Sequence, residues 1–207
     1  MMGRVSREQA AENRTKVVAA ASALFRRRGL DGVGIAELMA EAGLTHGGFY
    51  GQFGSKDGLA GEACAHAFAS AEAAWNATGP ARPEASADDV GQLRRLAEFY
   101  FSPKLPGQEC PMASLAGDAA RAPPDSPIRR AFTAGLRRLA NLVTTETSSG
   151  KAAVNEPLDD KALLLLAAMV GATTLRRASD DAALADRIQA AVLRFASPGP
   201  DLKNTGA

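Results

Sequence analysis

Apolar positions follow helical spacing almost from the start of the chain. Val17, Ala21, Leu24 and Phe25 stand at i, i+4, i+7 and i+8, the spacing of one buried helix face. Ser6, with Gln9 three residues on, reads as a capping box at its start, and Gly29 reads as its stop. Ile35, Leu38, Met39 and Ala42 predict a short second helix ended by Gly43. Thr45 stands as the cap of a third helix, His46 to about Gln52, with Phe49 and Phe53 turned inward. Ser55 opens a fourth, which carries Leu59, Ala63, Ala67, Phe68, Ala71 and Trp75 on one side. A breaker-rich stretch follows over residues 79–86. Beyond it the spacing predicts helices over about 87–101, 111–121, 126–147, 157–178 and 181–196, then a loose tail over 198–207. No run rich in Val, Ile, Thr and Tyr suggests a sheet. The expected fold class is all-α.

Composition sharpens this only in places. A net charge of +1 excludes a uniformly basic coat, but residues 1–28 hold seven Lys/Arg against two acids. An anionic partner would therefore be met near that end. The Arg26–Arg28 run also suits a solvated helix terminus, where cations complement the dipole. Cys64 and Cys110 form neither a disulfide framework nor a zinc cluster, and they fit a reducing cytoplasm. The opening residues are polar and lack the apolar core of a signal peptide. The longest apolar run, Ala162 to Ala172, is too short to span a bilayer. A soluble, cytoplasmic protein is expected, with no cofactor and no metal.

Residues 35–53 set two short helices around Gly43 and Leu44, which is a helix-turn-helix arrangement. Its second helix contains Gly47 and Gly48, each costing about 1 kcal/mol against alanine in a helix interior. Glycine does let a backbone approach another surface closely. On pattern alone, a helical corner that tolerates glycine remains the alternative.

The stretch AGLTHGGFYGQFGSKDGL, within residues 14–60, resembles the DNA-binding domain of the TetR/AcrR family of transcriptional regulators. A turn glycine, a capping hydroxyl, an aromatic pair and Ser55-Lys56 carry the match. The resemblance implies an N-terminal three-helix helix-turn-helix domain and a C-terminal helical domain for ligand binding and dimerisation. It assigns residues 1–55 to DNA binding and 56–197 to effector binding and dimerisation. It implies that Thr45 and His46 face bases or adjoining phosphates, and that Gly48 lies close to a base edge. Tyr50 would donate its hydroxyl to a phosphate. Lys56 would neutralise another, and Arg4 would reach the minor groove or a phosphate from a flexible arm. Gly34 stands where the family often has a capping hydroxyl, and Gly51 replaces a common phosphate contact. Operator choice would then lean on DNA shape.

The predicted helix over 157–178 is apolar nearly all round, so it needs a second partner besides its own core. The last helix repeats Leu184, Ile188, Ala191, Val192 and Phe195. The resemblance implies a homodimer through these two helices, against a monomer whose central helix is simply buried. It also implies an effector site in the middle of the chain. The candidate residues are Trp75, Leu96, Tyr100, Cys110, Met112, Phe132 and Leu136, a set that equally suits plain core. Cys110 precedes Pro111 and so would cap a helix, where free amides favour thiolate while Glu109 opposes it. It is a candidate sensor of electrophiles or oxidants, or else a small buried residue. Cys64 reads as packing.

The partners implied are double-stranded operator DNA, a small apolar or electrophilic effector and a second copy of the chain, with no membrane. The function implied is that of a ligand-responsive repressor. An enzyme is the rival class, but His46 and His66 are the only histidines. No phosphate-cradling Gly-Lys motif, HExxH, CxxC or Gly-x-Ser-x-Gly occurs. An architectural DNA-binding protein without an effector is the other alternative.

Overall fold

A computed structural model describes residues 6–78, 89–147, 158 and 160–196. The elements are α1 (Arg7–Arg28), α2 (Ile35–Glu41), a 3-10 turn (His46–Gly48), α3 (Phe49–Phe53), α4 (Lys56–Thr78), α5 (Asp89–Phe101), α6 (Pro111–Arg121), α7 (Pro127–Thr147), α8 (Asp160–Ala178) and α9 (Ala182–Phe195). No strand occurs among the described residues, so the fold is all-α. The helix ends lie close to those expected from apolar spacing. Arg4, the breaker stretch 79–86, the segment 148–156 and the tail 198–207 lie outside the described residues. No described helix is long and apolar enough to cross a membrane.

The chain forms two compact units. One comprises Met1–Ala71 with Lys104–Leu136, and the other Glu72–Pro103 with Arg137–Ala207. Helices α4 and α7 each contribute their first part to one unit and their second to the other.

Local chemistry sets the helix ends in the first unit. The Ser6 hydroxyl accepts from the Gln9 amide at 3.1 Å and caps α1, which is half of the expected capping box. The Gln9 side chain does not reach back to Ser6 but donates forward to Glu12 and Asn13. Gly29, at φ 72°, ends α1, and its N–H donates to the Phe25 carbonyl. Helix α2 closes in a Schellman turn: Leu44 N–H donates to the Met39 carbonyl at 2.8 Å and Gly43 N–H to Ala40 at 2.9 Å. Gly43 sits at φ 71°, a region costly for any residue with a Cβ. Ser55 caps α4 through its hydroxyl, which accepts from Gly58 N–H at 3.0 Å. Val17, Ala21, Leu24, Phe25, Leu38, Met39, Phe49, Leu59, Ala63 and Phe68 are all buried, so the apolar faces of α1 to α4 meet in one core. Phe68 on α4 meets Phe132 on α7 edge to face at 5.4 Å.

In the second unit, α5 packs on α8 and α9, and α8 lies along α9. Leu96, Ala97, Leu165, Met169 and Ala185 are buried there, and Trp75 meets the Phe99 ring edge to face at 5.4 Å. Asp181 caps α9 by accepting from Leu184 N–H at 2.9 Å. The α9 stripe splits between two sides. Ala185 and Val192 face inward, while Leu184 and Phe195 are 47% and 57% exposed. On α8, Leu164 and Leu175 are exposed as well.

Candidate nucleic-acid interface

The Schellman turn fixes the direction in which the chain enters the second helix of the helix-turn-helix. That helix does not begin as a regular α-helix at His46. Its first turn is 3-10, and the α-helical part begins at Phe49 with Gly48 as N-cap and no side-chain cap. Two adjacent glycines lower helix propensity, and 3-10 turns are common at helix starts. Gly34 likewise caps α2 without a side-chain hydrogen bond, as expected for a residue with no side chain.

One side of this element is anchored and the other is open. Phe49 is fully buried and Phe53 nearly so, with ring centroids 5.5 Å apart. Thr45, Gly47, Gly48, Tyr50 and Gly51 are exposed, Tyr50 at 60%. Lys56, half-buried, opens α4. Thus Thr45, Gly48, Tyr50 and Lys56 all lie on this one short stretch, His46 contributes a backbone position in the 3-10 turn, and Arg4 lies outside the described residues.

The glycines are not required by the fold. A Cβ added at Gly47 or Gly51 would meet nothing within 4 Å, and at Gly48 only the Gln52 side chain at 3.9 Å. Gly48 has ordinary helical angles, φ −90° and ψ −8°. Gly48→Ala is therefore expected to raise stability by about 0.5–1 kcal/mol. If DNA backbone or bases approach this face, the same methyl lowers DNA affinity. A thermal melt beside a duplex titration checks both, and a variant that gains stability without losing affinity removes Gly48 from the interface.

The basic N-terminal cluster does not form one free patch. Arg28 pairs with Glu37. Arg26 is not solvated as a helix-end cation: it is only 9% exposed. Its Nε donates to the Ser22 carbonyl at 3.0 Å and an Nη to the Glu109 carbonyl at 3.3 Å. Burial pulls this guanidinium below the ordinary arginine value, with Glu109 and Cys110 acting in the opposite direction. By sequence, Arg14 is one of the bases expected to meet an anion. Its guanidinium instead donates to the Gln52 carbonyl and to Glu62, and lies 4.5 Å from the Phe53 ring centre. Nothing in local spacing reveals this, because the three partners are distant in sequence. Arg7, Lys16 and Arg27 are exposed.

The effector-site candidates divide between the two units. Trp75, Leu96 and Tyr100 belong to one, and Cys110, Met112, Phe132 and Leu136 to the other. Leu96 is fully buried, whereas Leu136 is 37% exposed on α7. The Trp75 side chain is 8% exposed, and its Nε1 is buried without a hydrogen-bond partner. Cys110 is half-buried at the N-cap of α6, followed by Pro111, and its thiol makes no cap hydrogen bond. Burial pulls the Lys104 ammonium below the ordinary lysine value, with Cys110 acting in the opposite direction. Burial pushes the Cys64 thiol up to about 12, which suits an inert packing residue. A separate cavity of about 190 Å³ is lined by Leu30, Asp31, Asp57, Asp118, Arg121 and Ile128 among others. None of the effector-site candidates lines it.

Residues 17–63 match the family described as bacterial regulatory proteins, tetR family. Among solved structures, a TetR-family regulator from Cytophaga hutchinsonii is similar at 17% identity, over 94% of this chain and 96% of that one, with a TM-score of 0.71. A TetR regulator from Chloroflexus aurantiacus is similar at 26% identity, covering 91% and 96%, with a TM-score of 0.67. The reduced form of NemR from E. coli is similar at 21% identity, covering 87% and 94%, with a TM-score of 0.64. Comparison with curated protein sequences gives no match.

Proposed function

We propose that this chain, a DNA-binding transcriptional regulator of the tetR family by its N-terminal domain, is a non-enzymatic repressor. It acts as a homodimer in the cytoplasm and leaves a near-palindromic operator when a small effector binds. The observation that carries the reading is the open face of residues 45–51, backed by buried Phe49 and Phe53 and lined by glycines that the fold itself does not need. In a helix-turn-helix that face enters the major groove. Thr45 and His46 would read bases, Gly48 would let the backbone come close, and Tyr50 would hold a phosphate. Lys56 would hold another phosphate at the start of α4, where free amides also attract anions. Arg4 would add a minor-groove or phosphate contact.

On this reading residues 1–55 bind DNA, and 56–197 bind the effector and a second protomer. The exposed apolar residues Leu164, Leu175, Leu184 and Phe195 support the dimer face. The unsatisfied Trp75 Nε1 supports an effector contact beside Leu96 and Tyr100, since a buried donor without a partner is costly and rare. The effector would be a largely apolar molecule bearing one acceptor atom. The second reading, an electrophilic effector, is favoured by the Cys110 thiol at a helix N-cap near Arg26 and Lys104. Met112, Phe132 and Leu136 are the further candidates in that part of the chain.

One experiment tests the whole reading. Duplexes selected from a randomised library by the wild-type protein give the operator, and small molecules are then screened for release. Trp75 is the single tryptophan, so an effector at this site changes the protein's intrinsic fluorescence at the concentration that frees the DNA. Selection of no common sequence, or release with no fluorescence change, contradicts the corresponding half.

A further inference from the structure

Resting on the DNA-binding reading above, we propose that Arg14 is a positioning residue for the DNA-reading helix: it holds the end of α3 against α1 and α4 without touching DNA itself. The α3 helix has five residues, too few to be stable alone. Glycines lie at both ends, Gly48 as N-cap and Gly54 as C-cap at φ 69°. Neighbouring elements must therefore set its orientation. Phe49 and Phe53 fix how deeply it sits, but apolar contacts are non-directional and fix rotation weakly.

Arg14 supplies direction. One Nη donates to the Gln52 carbonyl, in the last turn of α3, where unpaired carbonyls carry the negative end of the helix dipole. The other Nη donates to Glu62 of α4 at 2.5 Å. The guanidinium carbon lies 4.5 Å from the centre of the Phe53 ring, a cation–π distance. A planar fork that meets a carbonyl, a carboxylate and a ring face leaves one orientation, which the ammonium of lysine does not enforce. Both partners of the ion pair have 40% exposed side chains, and exposed pairs contribute little to global stability. The consequence falls on the angle at which α3 is presented.

Full-length variants are compared on the duplex selected by the wild type and on a scrambled duplex of equal composition. Glu62→Ala is the deciding variant. It removes a negative charge, so phosphate electrostatics alone would tighten binding to both duplexes. The proposal expects the reverse on the selected duplex, a loss of about tenfold, or about 1.4 kcal/mol. The scrambled duplex is bound as well as before or better. Arg14→Met loses a similar factor with the salt slope retained, and the double variant loses little more than either single one. Arg14→Lys restores little. Melting temperatures, measured in parallel, place every titration well below unfolding.

Tighter binding of the selected duplex by Glu62→Ala overturns the proposal. So does a salt slope lowered by about one unit in Arg14→Met and restored in Arg14→Lys, which marks a phosphate contact. A wild type that selects no sequence sinks the DNA-binding reading instead, so the two failures are distinct.

Discussion

Gly135→Ala is expected to cost about 3 kcal/mol of stability and to lower the melting temperature by about 10 °C. A Cβ at Gly135 would stand 2.1 Å from Cγ of Phe68 and 2.5 Å from both Cδ atoms of that ring. Phe68 is fully buried and also meets Phe132, so the ring has no free space into which to swing. The backbone of α7 or of α4 must move instead, and close-packed interiors resist such shifts. Gly61 makes a second close approach between the same helices, where a Cβ would lie 2.6 Å from Pro127 Cβ. Differential scanning calorimetry on Gly135→Ala, Phe68→Ala and the double variant checks the cause. In the Phe68→Ala background the Gly135 substitution should cost little, because the obstructing ring is gone. A full additional loss there places the strain elsewhere.

Leu184→Glu combined with Phe195→Glu is expected to abolish the proposed dimer and, with it, tight operator binding. Both side chains are about half exposed in the single protomer, so the substitutions disturb its own core little. In a two-fold interface each change occurs twice. Losing about 2 kcal/mol of apolar burial per copy of one leucine weakens the dimer by about 4 kcal/mol, or about a thousandfold. Placing carboxylates against the opposing apolar face adds to that. Sedimentation at micromolar concentration should show monomers with unchanged helical circular dichroism. A variant that still sediments as a dimer removes α9 from the interface.

What local spacing shows, it shows well. The Ser6 cap, the Gly29 and Gly43 stops and the Pro111 start are short-range features, and the structure has each where the residues suggest it. The inward pair Phe49 and Phe53 was legible in the same way. Contacts between distant positions were not. Arg14 resembles any exposed base until α3 and α4 are folded against α1. Arg26 sits in a run that reads as a solvated helix end, yet it is buried and donates to the carbonyl of Glu109, far away in sequence, as well as to Ser22 one turn back. Gly135 gives no local sign that the Phe68 ring fills its Cβ position. The α9 stripe was visible as apolar spacing, but its division into an inner side with Val192 and an outer side with Leu184 depends on how α8 lies along it. The reading helix opens as a 3-10 turn and not as the α-helix expected from Thr45, because Gly47 and Gly48 leave its first turn with little helix propensity.

The measurement that bears most directly on the account is the mass of the wild-type complex on a selected duplex, taken by native mass spectrometry at low protein concentration. One duplex with two protomers, appearing without a one-protomer intermediate, is the expected result. A single protomer bound as tightly to one half of the site as to the whole would contradict it.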